Sequence, residues 1–172
     1  MKNDHAIKFG LLAGFGTILF LFIFYSIDKK LILDHGVIWS TMFLYIIGMY
    51  MAPIEERKNN DGYIEFKPAL KAAFLVWVVA NGLYHAYNYL LFNFIDPEML
   101  SVQRQFMRDN MGQLEGVLTE EMAQAVEDSI EFLNFDFMTV FTTYLSSLVG
   151  GFLIAVVVAR MVRRNPPVEE QV

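Results

Sequence analysis

An otherwise apolar stretch of the sequence, residues 72–97, carries four hydrogen-bonding side chains near its middle: Asn81, Tyr84, His85 and Asn88. Asn81, His85 and Asn88 are spaced i, i+4 and i+7, so an α-helix places them on roughly one face with Tyr84 beside them. Because an unsatisfied polar group costs several kcal/mol in an apolar environment, this face is predicted to point into the protein.

Two interpretations of this polar cluster remain open. In the first, its side chains form hydrogen bonds between helices and fix which faces meet, at about 0.6 kcal/mol per contact. In the second, they line a small polar cavity in which His85, which can change charge near neutral pH, binds a ligand or relays a proton. The candidate partners on other segments carry hydroxyl groups: Thr17, Ser40, Thr41, Thr139, Thr142, Thr143, Tyr144, Ser146 and Ser147.

The remaining residue types argue against the common catalytic and metal-binding chemistries. The sequence has no cysteine, and its three histidines, His5, His35 and His85, fall in separate parts of the chain. It contains no HExxH, GxSxG, P-loop or dinucleotide-binding motif. We therefore expect no catalytic residue, no metal site and no cofactor, and we expect the protein not to be an enzyme. The basic tail RMVRRNPP is typical of a stop-transfer signal beside lipid headgroups, so no nucleic-acid partner is expected.

Four apolar segments must position these residues. The chain of 172 residues is 55% hydrophobic, with a mean hydropathy of +0.38. A membrane-spanning helix needs at least about 17 mostly apolar residues. Four segments meet this requirement: 9–27, 37–54, 70–95 and 137–159. The sequence therefore predicts an all-α fold, an integral membrane four-helix bundle that forms a single domain over residues 1–172.

Small residues four positions apart occur in every predicted span. Such pairs let membrane helices approach closely, and they serve either packing within one chain or the seam of a homo-oligomer. The pairs are Gly10 with Gly14, Ala13 with Thr17, Gly48 with Ala52, Gly82 with Ala86, Ser146 with Gly150, and Ser147 with Gly151.

The distribution of basic residues predicts the orientation of the bundle. Four spans put both termini and the loop 55–69 on one side, which carries nine of the thirteen Lys and Arg residues. The other side carries four: Lys29, Lys30, Arg104 and Arg108. Because loops rich in Lys and Arg stay in the cytoplasm, both termini are predicted to be cytoplasmic.

The segment 97–134, between the third and fourth spans, is long enough to form helices outside the membrane. Thr119 is a candidate N-cap, and apolar residues recur at helical spacing after it. These apolar residues either pack on the ends of the spans or form an adaptable surface for a protein partner, because methionine side chains repack easily. The residues of this partner surface are Met99, Met111, Met122, Val126 and Ile130.

Three short motifs give the chain a family resemblance. They are Lys8-Phe9-Gly10 at the start of the first span, DGYIEFKPALKAAF leading into the third, and FNFIDPEML at its far end. With these motifs the chain, from Ala6 to Arg164, resembles the Bacteroidota membrane-protein family called domain of unknown function 4199. The resemblance implies a four-helix inner-membrane protein with a long outer segment between the third and fourth helices, and it supplies no catalytic residues.

These observations predict a non-enzymatic integral membrane protein of the bacterial inner membrane. Its expected role is that of an accessory or scaffolding subunit, which contacts membrane lipids and a protein partner through the outer helices. The alternative is a small-molecule carrier or sensor built around the polar cluster at His85. A homo-oligomer is compatible with both roles.

Overall fold

The computed structural model describes residues 4–112 and 119–166, and most of them lie in helices. Helix α1 is Asp4–Ile27, a 3₁₀ helix at Lys29–Leu33 follows, and the short α2 is His35–Ser40. Helix α3 is Met42–Lys58, α4 is Phe66–Leu90 with a π-helical turn at Leu91–Ile95, and α7 is Phe137–Val162. Two shorter helices, α5 at Met99–Gly112 and α6 at Glu120–Glu131, connect α4 to α7.

Within the described residues, four helical segments are long and apolar enough to cross a membrane: Asp4–Ile27, His35–Lys58, Phe66–Ile95 and Phe137–Val162. The prediction of an all-α fold with four spans is therefore confirmed. The second span is interrupted at Thr41, between α2 and α3. The hydroxyl groups of Ser40 and Thr41 donate to the carbonyl groups of Val37 and Ile38, so the interruption leaves these two hydroxyl groups satisfied.

Both described ends of the chain lie at the same end of the bundle, which we call the terminal end. Here Arg57 Nη1 donates to the carbonyl of Val162 over 3.1 Å, and the backbones of Ile64 and Arg164 pair with each other. The opposite end, covered by α5 and α6, we call the cap end.

Helix α4 is the centre of the bundle, since it packs against α1, α3 and α7. Glycines allow the close approach of α1. A Cβ atom added at Gly10 would lie 2.8 Å from Val79 Cβ, and one added at Gly14 would lie 2.7 Å from Leu83 Cδ1. Such distances are too short for carbon atoms in contact. Val79 Cβ is fixed to the backbone of α4, so Gly10 in particular must be glycine for α1 and α4 to pack as they do, while Leu83 Cδ1 at Gly14 can turn aside.

Two adjacent glycines of α7 have opposite environments. A Cβ atom at Gly151 would overlap the indole ring of Trp77, whereas one at Gly150 would have no atom within 4 Å. Close packing within one chain therefore accounts for Gly151, and Gly150 faces away from the bundle.

Two clusters of buried apolar residues form the core. The larger one fills the terminal half of the bundle and includes Met49, Val76, Trp77 and Val158. The smaller one lies at the cap end and comprises Leu21, Ile32, Leu91, Phe92 and Met99. Helix α7 contributes buried residues to the larger cluster only, because its buried positions all lie in its second half: Gly151, Ala155, Val158, Ala159 and Val162.

Helices α5 and α6 are held together by polar contacts. Arg108 pairs with Glu127 at 2.9 Å, and Arg104 Nη2 donates to the carbonyl of Glu131 over 3.3 Å and to that of Leu133, just after α6, over 2.8 Å. Thr119 is the N-cap of α6, as predicted, since its hydroxyl oxygen accepts from the backbone N–H of Met122.

Two of the five residues of the predicted partner surface lie in the core. Met99 and Ile130 are fully buried, so no partner can contact them in this arrangement. The physical reason is that the apolar stripe of each helix packs against the rest of the protein, which removes it from water. Met111 and Val126 are partly buried, and Met122 remains 53% exposed.

Candidate ligand cavity at the cap end

Asn81, the first residue of the polar cluster, connects α4 to α7. Its side-chain N–H donates to the hydroxyl oxygen of Ser147, and the Ser147 hydroxyl donates to the carbonyl of Tyr144. The Tyr144 hydroxyl in turn donates to the carbonyl of Val78 over 3.2 Å. Asn81 is buried, and its role is that of the first interpretation, a hydrogen bond that fixes which faces of two helices meet.

His85 lies one turn closer to the cap end and has different neighbours. Its imidazole packs edge-on against the rings of Tyr84 and Tyr144, with centroid distances of 5.3 and 5.8 Å. Its ring also borders a cavity.

This cap-end cavity has a volume of about 270 Å³ and includes three of the four residues of the polar cluster, Tyr84, His85 and Asn88, in its lining. Helix α7 contributes Thr139 and Thr143, both of which were candidate partners of the cluster. Tyr87 and Gln103 complete the polar part of the lining. Apolar residues from α1, the 3₁₀ helix, α2, the π-helical turn, α7 and the segment before α7 form the rest. The folded chain therefore gathers residues from seven helical elements around this cavity.

The lining residues of this cavity, within the described part of the chain, include no Asp, Glu, Lys or Arg. A charged ligand would lose its hydration there without an opposite charge to compensate, which is costly in a low-dielectric site. The cavity is larger than the roughly 150 Å³ that holds benzene in an engineered protein and slightly smaller than pockets for drug-sized ligands, which begin near 300 Å³. It fits a small neutral molecule of mixed apolar and hydrogen-bonding character.

The π-helical turn at Leu91–Ile95 borders the cavity. It presents Phe92, whose ring stacks on the ring of Phe135 at a centroid distance of 3.8 Å. Asn93 fixes this arrangement, because its side-chain N–H groups donate to the carbonyls of Tyr89 and Phe135, each over 2.8 Å.

Sequence reasoning missed a cluster of three residues that fastens this end of the bundle, which we call the Asp96 clasp. The Asp96 carboxylate accepts a hydrogen bond from the Tyr25 hydroxyl at 2.7 Å and pairs with Lys29 Nζ at 2.5 Å. The hydrogen bond from Lys29, followed by that from Tyr25, lowers the pKa of the Asp96 carboxyl. The same bond raises the pKa of Lys29. The available signal was an Asp-Pro pair at the end of an apolar run, inside the motif FNFIDPEML.

Three other candidate partners do not join the polar cluster. The hydroxyl groups of Ser40 and Thr41 bond to carbonyls of their own segment, and the Thr17 hydroxyl is buried without a partner in the described part of the chain. At the wall of the cavity, Tyr87 Oη and Gln103 Oε1 are likewise buried without a partner among the described residues.

A second cavity, of about 720 Å³, lies at the terminal end. Its lining includes Asp4, His5, Glu56 and Pro166, and none of the residues of the polar cluster. Asp4 and Pro166 adjoin the chain ends that the structure does not describe, 1–3 and 167–172.

The four apolar spans define a multi-pass α-helical membrane protein. The model of the family described as "Protein of unknown function (DUF4199)" matches residues 8–164, and the chain belongs to that family. No curated protein and no solved structure matches the chain. The family resemblance is therefore confirmed, and it assigns no chemistry to any residue.

Proposed function

We propose that this protein is a non-enzymatic carrier or sensor that binds a small neutral molecule in the cap-end cavity. The observation that carries this proposal is the cavity itself, in which Tyr84, His85 and Asn88 of α4 face Thr139 and Thr143 of α7. The alternative for these residues, hydrogen bonds between helices, accounts for Asn81 and not for the residues nearer the cap end.

The chemistry of the cavity supports a specific kind of ligand. Its apolar lining favours a hydrocarbon portion, and its imidazole, amide and hydroxyl groups offer both donors and acceptors. Ligand sites commonly combine a mostly apolar wall with a few placed polar groups. The polar groups of Tyr87 and Gln103, which lack partners among the described residues, add a reason for binding, since a buried unpaired group costs about 1–3 kcal/mol that a ligand can recover.

The proposed location is the bacterial inner membrane, with the terminal end in the cytoplasm and the cap end outside. The nine basic residues on the terminal side support this orientation. The chain has no cysteine, so cysteines introduced one at a time are its only thiols. Asn60 and Ala125 are both exposed, and a cysteine at either position reports on which side of the membrane that position lies. An impermeant maleimide applied to intact spheroplasts should label position 125 and spare position 60, and the reverse pattern would overturn the orientation.

A binding experiment tests the proposed function. Benzyl alcohol, a small neutral molecule with one hydroxyl group, should raise the unfolding temperature of the purified full-length protein in a concentration-dependent manner. At ten times its Kd a ligand adds about 1.4 kcal/mol of stability. His85→Leu should abolish this effect, while His35→Leu, an exposed residue of α2 outside the lining, should retain it. Equal stabilisation of both variants would contradict binding at His85.

The role of accessory subunit is a second candidate, favoured by two exposed apolar residues at the cap end. Met122 is 53% exposed and Phe132 is 79% exposed. A protein recovered in stoichiometric amount from native membranes, and lost in Met122→Ser with Phe132→Ser at unchanged stability, would favour this role. Unchanged recovery in that double variant would count against it.

A further inference from the structure

The cap-end cavity opens to one side of the bundle. Three of its lining residues are exposed: Ile38 on α2, and Thr139 and Thr143 on α7. The residues from α1, α4 and α5 are buried or partly buried. The opening therefore lies between the first part of the second span and the first part of the fourth.

These two helical segments are the least buried parts of the bundle. Helix α2 has no buried residue, and the buried residues of α7 begin only at Gly151. The first half of α7 is held by contacts to α4, such as the bonds from Asn81 to Ser147 and from Tyr144 to Val78. Toward the terminal end α7 also meets the second span, where Arg57 donates to Val162. The two spans thus meet at the terminal end and leave a gap at the cap end.

The depth of this gap along the helices determines whether it faces lipid or water. Thr143 lies six residues after the start of α7, or roughly 9 Å along a helix that rises 1.5 Å per residue. His85 lies ten residues before the end of the third span, or roughly 15 Å from it. Since the hydrocarbon core is about 30 Å thick, the gap faces lipid.

Aromatic and polar side chains line the cavity toward the cap end. The stacked rings of Phe92 and Phe135 belong to this lining, together with Gln103 of α5. The Asp96 clasp ties α1 and the 3₁₀ helix to the start of α5 and so holds these elements together.

We infer that the ligand of this cavity is a membrane-borne amphiphile that enters sideways from the lipid bilayer through the gap between α2 and α7. Its neutral hydrogen-bonding group, a hydroxyl or an amide, contacts His85 and Asn88. Its hydrocarbon chain extends through the gap past Thr143 into the bilayer. This inference rests on the proposed function and names the ligand class and the route.

Photolabelling tests the inference on the full-length protein in vesicles of phosphatidylethanolamine and phosphatidylglycerol. The probe is a long-chain fatty alcohol with a diazirine next to its hydroxyl group, and labelled residues are mapped by mass spectrometry. Labelling should concentrate on α4 at His85 and Asn88. Thr143→Trp, which fills the gap, should reduce that labelling roughly tenfold. Thr142→Trp is the matched control, because Thr142 is exposed and lies outside the lining, and it should leave the labelling unchanged.

A diazirine-bearing benzyl alcohol added to the water separates this inference from the proposed function. If it labels His85 while the long-chain probe does not, or if Thr143→Trp leaves long-chain labelling intact, the cavity binds small molecules and the sideways route is wrong. Labelling by neither probe overturns both proposals. Long-chain labelling spread evenly over the exposed faces of α1 and α7 would mean unspecific lipid contact and would also overturn the inference.

Discussion

Asp96 and Tyr25 are 71 positions apart in sequence, yet the Tyr25 hydroxyl donates to the Asp96 carboxylate over 2.7 Å. Tyr25 belongs to the last turn of α1, and Asp96 directly follows the π-helical turn of the third span. Asp96 is only 8% exposed, so its charge depends on this bond and on Lys29 for compensation. The pair joins two elements that both supply residues to the cap-end cavity, Leu21 from α1 and Phe92 from the π-helical turn.

Removal of the Tyr25 hydroxyl should loosen the cap end. We expect Tyr25→Phe to lower the free energy of unfolding by about 1 kcal/mol, since a hydrogen bond to a charged acceptor is lost. Thermal unfolding in detergent measures this change. Asp109→Asn is the control: Asp109 pairs with Lys30 at 3.7 Å and both side chains are about half exposed, so that pair contributes little. Equal losses in the two variants would contradict a special role for the clasp.

The clasp should also make stability depend on pH. The folded-state pKa of Asp96 lies below its ordinary value of 3.8, so its contribution is present above that value and is lost as the pH falls through the lowered pKa. The folded-state pKa of Lys29 lies above 10.5, so its contribution is present below that value and is lost as the pH rises through the raised pKa. The difference in unfolding temperature between wild type and Asp96→Asn should therefore be constant near neutrality and shrink in acid. A constant difference down to strongly acidic pH would contradict this assignment.

The four spans were predictable because a single physical requirement, crossing hydrocarbon with every backbone group paired, produces long uninterrupted apolar helices. The N-cap at Thr119 was also predictable, because it depends only on the Thr119 side chain and on the backbone of the same helix. The interruption at Thr41 was not predicted, although it falls at the polar pair Ser40 and Thr41, whose hydroxyl groups bond to carbonyls of the preceding turn.

The polar cluster was only partly predictable. Helical spacing predicted that Asn81, Tyr84, His85 and Asn88 share roughly one face of a helix. It could not separate the three residues that line the cavity from Asn81, which is buried against Ser147. That difference depends on how α7 packs against α4, and a local sequence pattern does not predict this packing. The Asp96 clasp was missed because its three residues come from α1, the 3₁₀ helix and the end of the third span, and the contact of the first two with the third is set by tertiary packing.

The two adjacent glycines of α7 provide a matched test of helix packing. Gly151→Ala should lower the free energy of unfolding by about 1–3 kcal/mol, because the added methyl group overlaps the Trp77 indole and forces it to move. Gly150→Ala should be neutral, because nothing lies within 4 Å of the added carbon. Thermal unfolding of both variants checks the difference. A larger loss in Gly150→Ala would indicate that a second chain packs on that face.

The apolar stripe of α6 offers a similar comparison between a buried and an exposed residue. Ile130→Ala should cost about 2–5 kcal/mol, since Ile130 is fully buried and its truncation leaves a cavity. Met122→Ala should change stability by less than about 0.5 kcal/mol, since Met122 is 53% exposed. Unfolding by heat in detergent measures both changes. If Ile130→Ala left the unfolding temperature unchanged, Ile130 would not be buried as the structure shows.

The last prediction separates the structural and ligand-binding parts of the polar cluster. Ser147→Ala should cost about 0.6–1 kcal/mol of stability, because it removes the partner of the buried Asn81 amide. Ser146→Ala is its control and should be neutral, since the Ser146 hydroxyl is exposed and donates only to the carbonyl of Thr142 in its own helix.

His85→Leu should leave the free energy of unfolding within about 0.5 kcal/mol of wild type. The ring of His85 contacts the aromatic side chains of Tyr84 and Tyr144, and a leucine can still pack against them. The same His85→Leu substitution should abolish binding of benzyl alcohol. The structure assigns a structural role to the Asn81–Ser147 bond and a ligand-binding role to His85. This assignment is wrong if His85→Leu unfolds the protein while Ser147→Ala removes only the binding of benzyl alcohol.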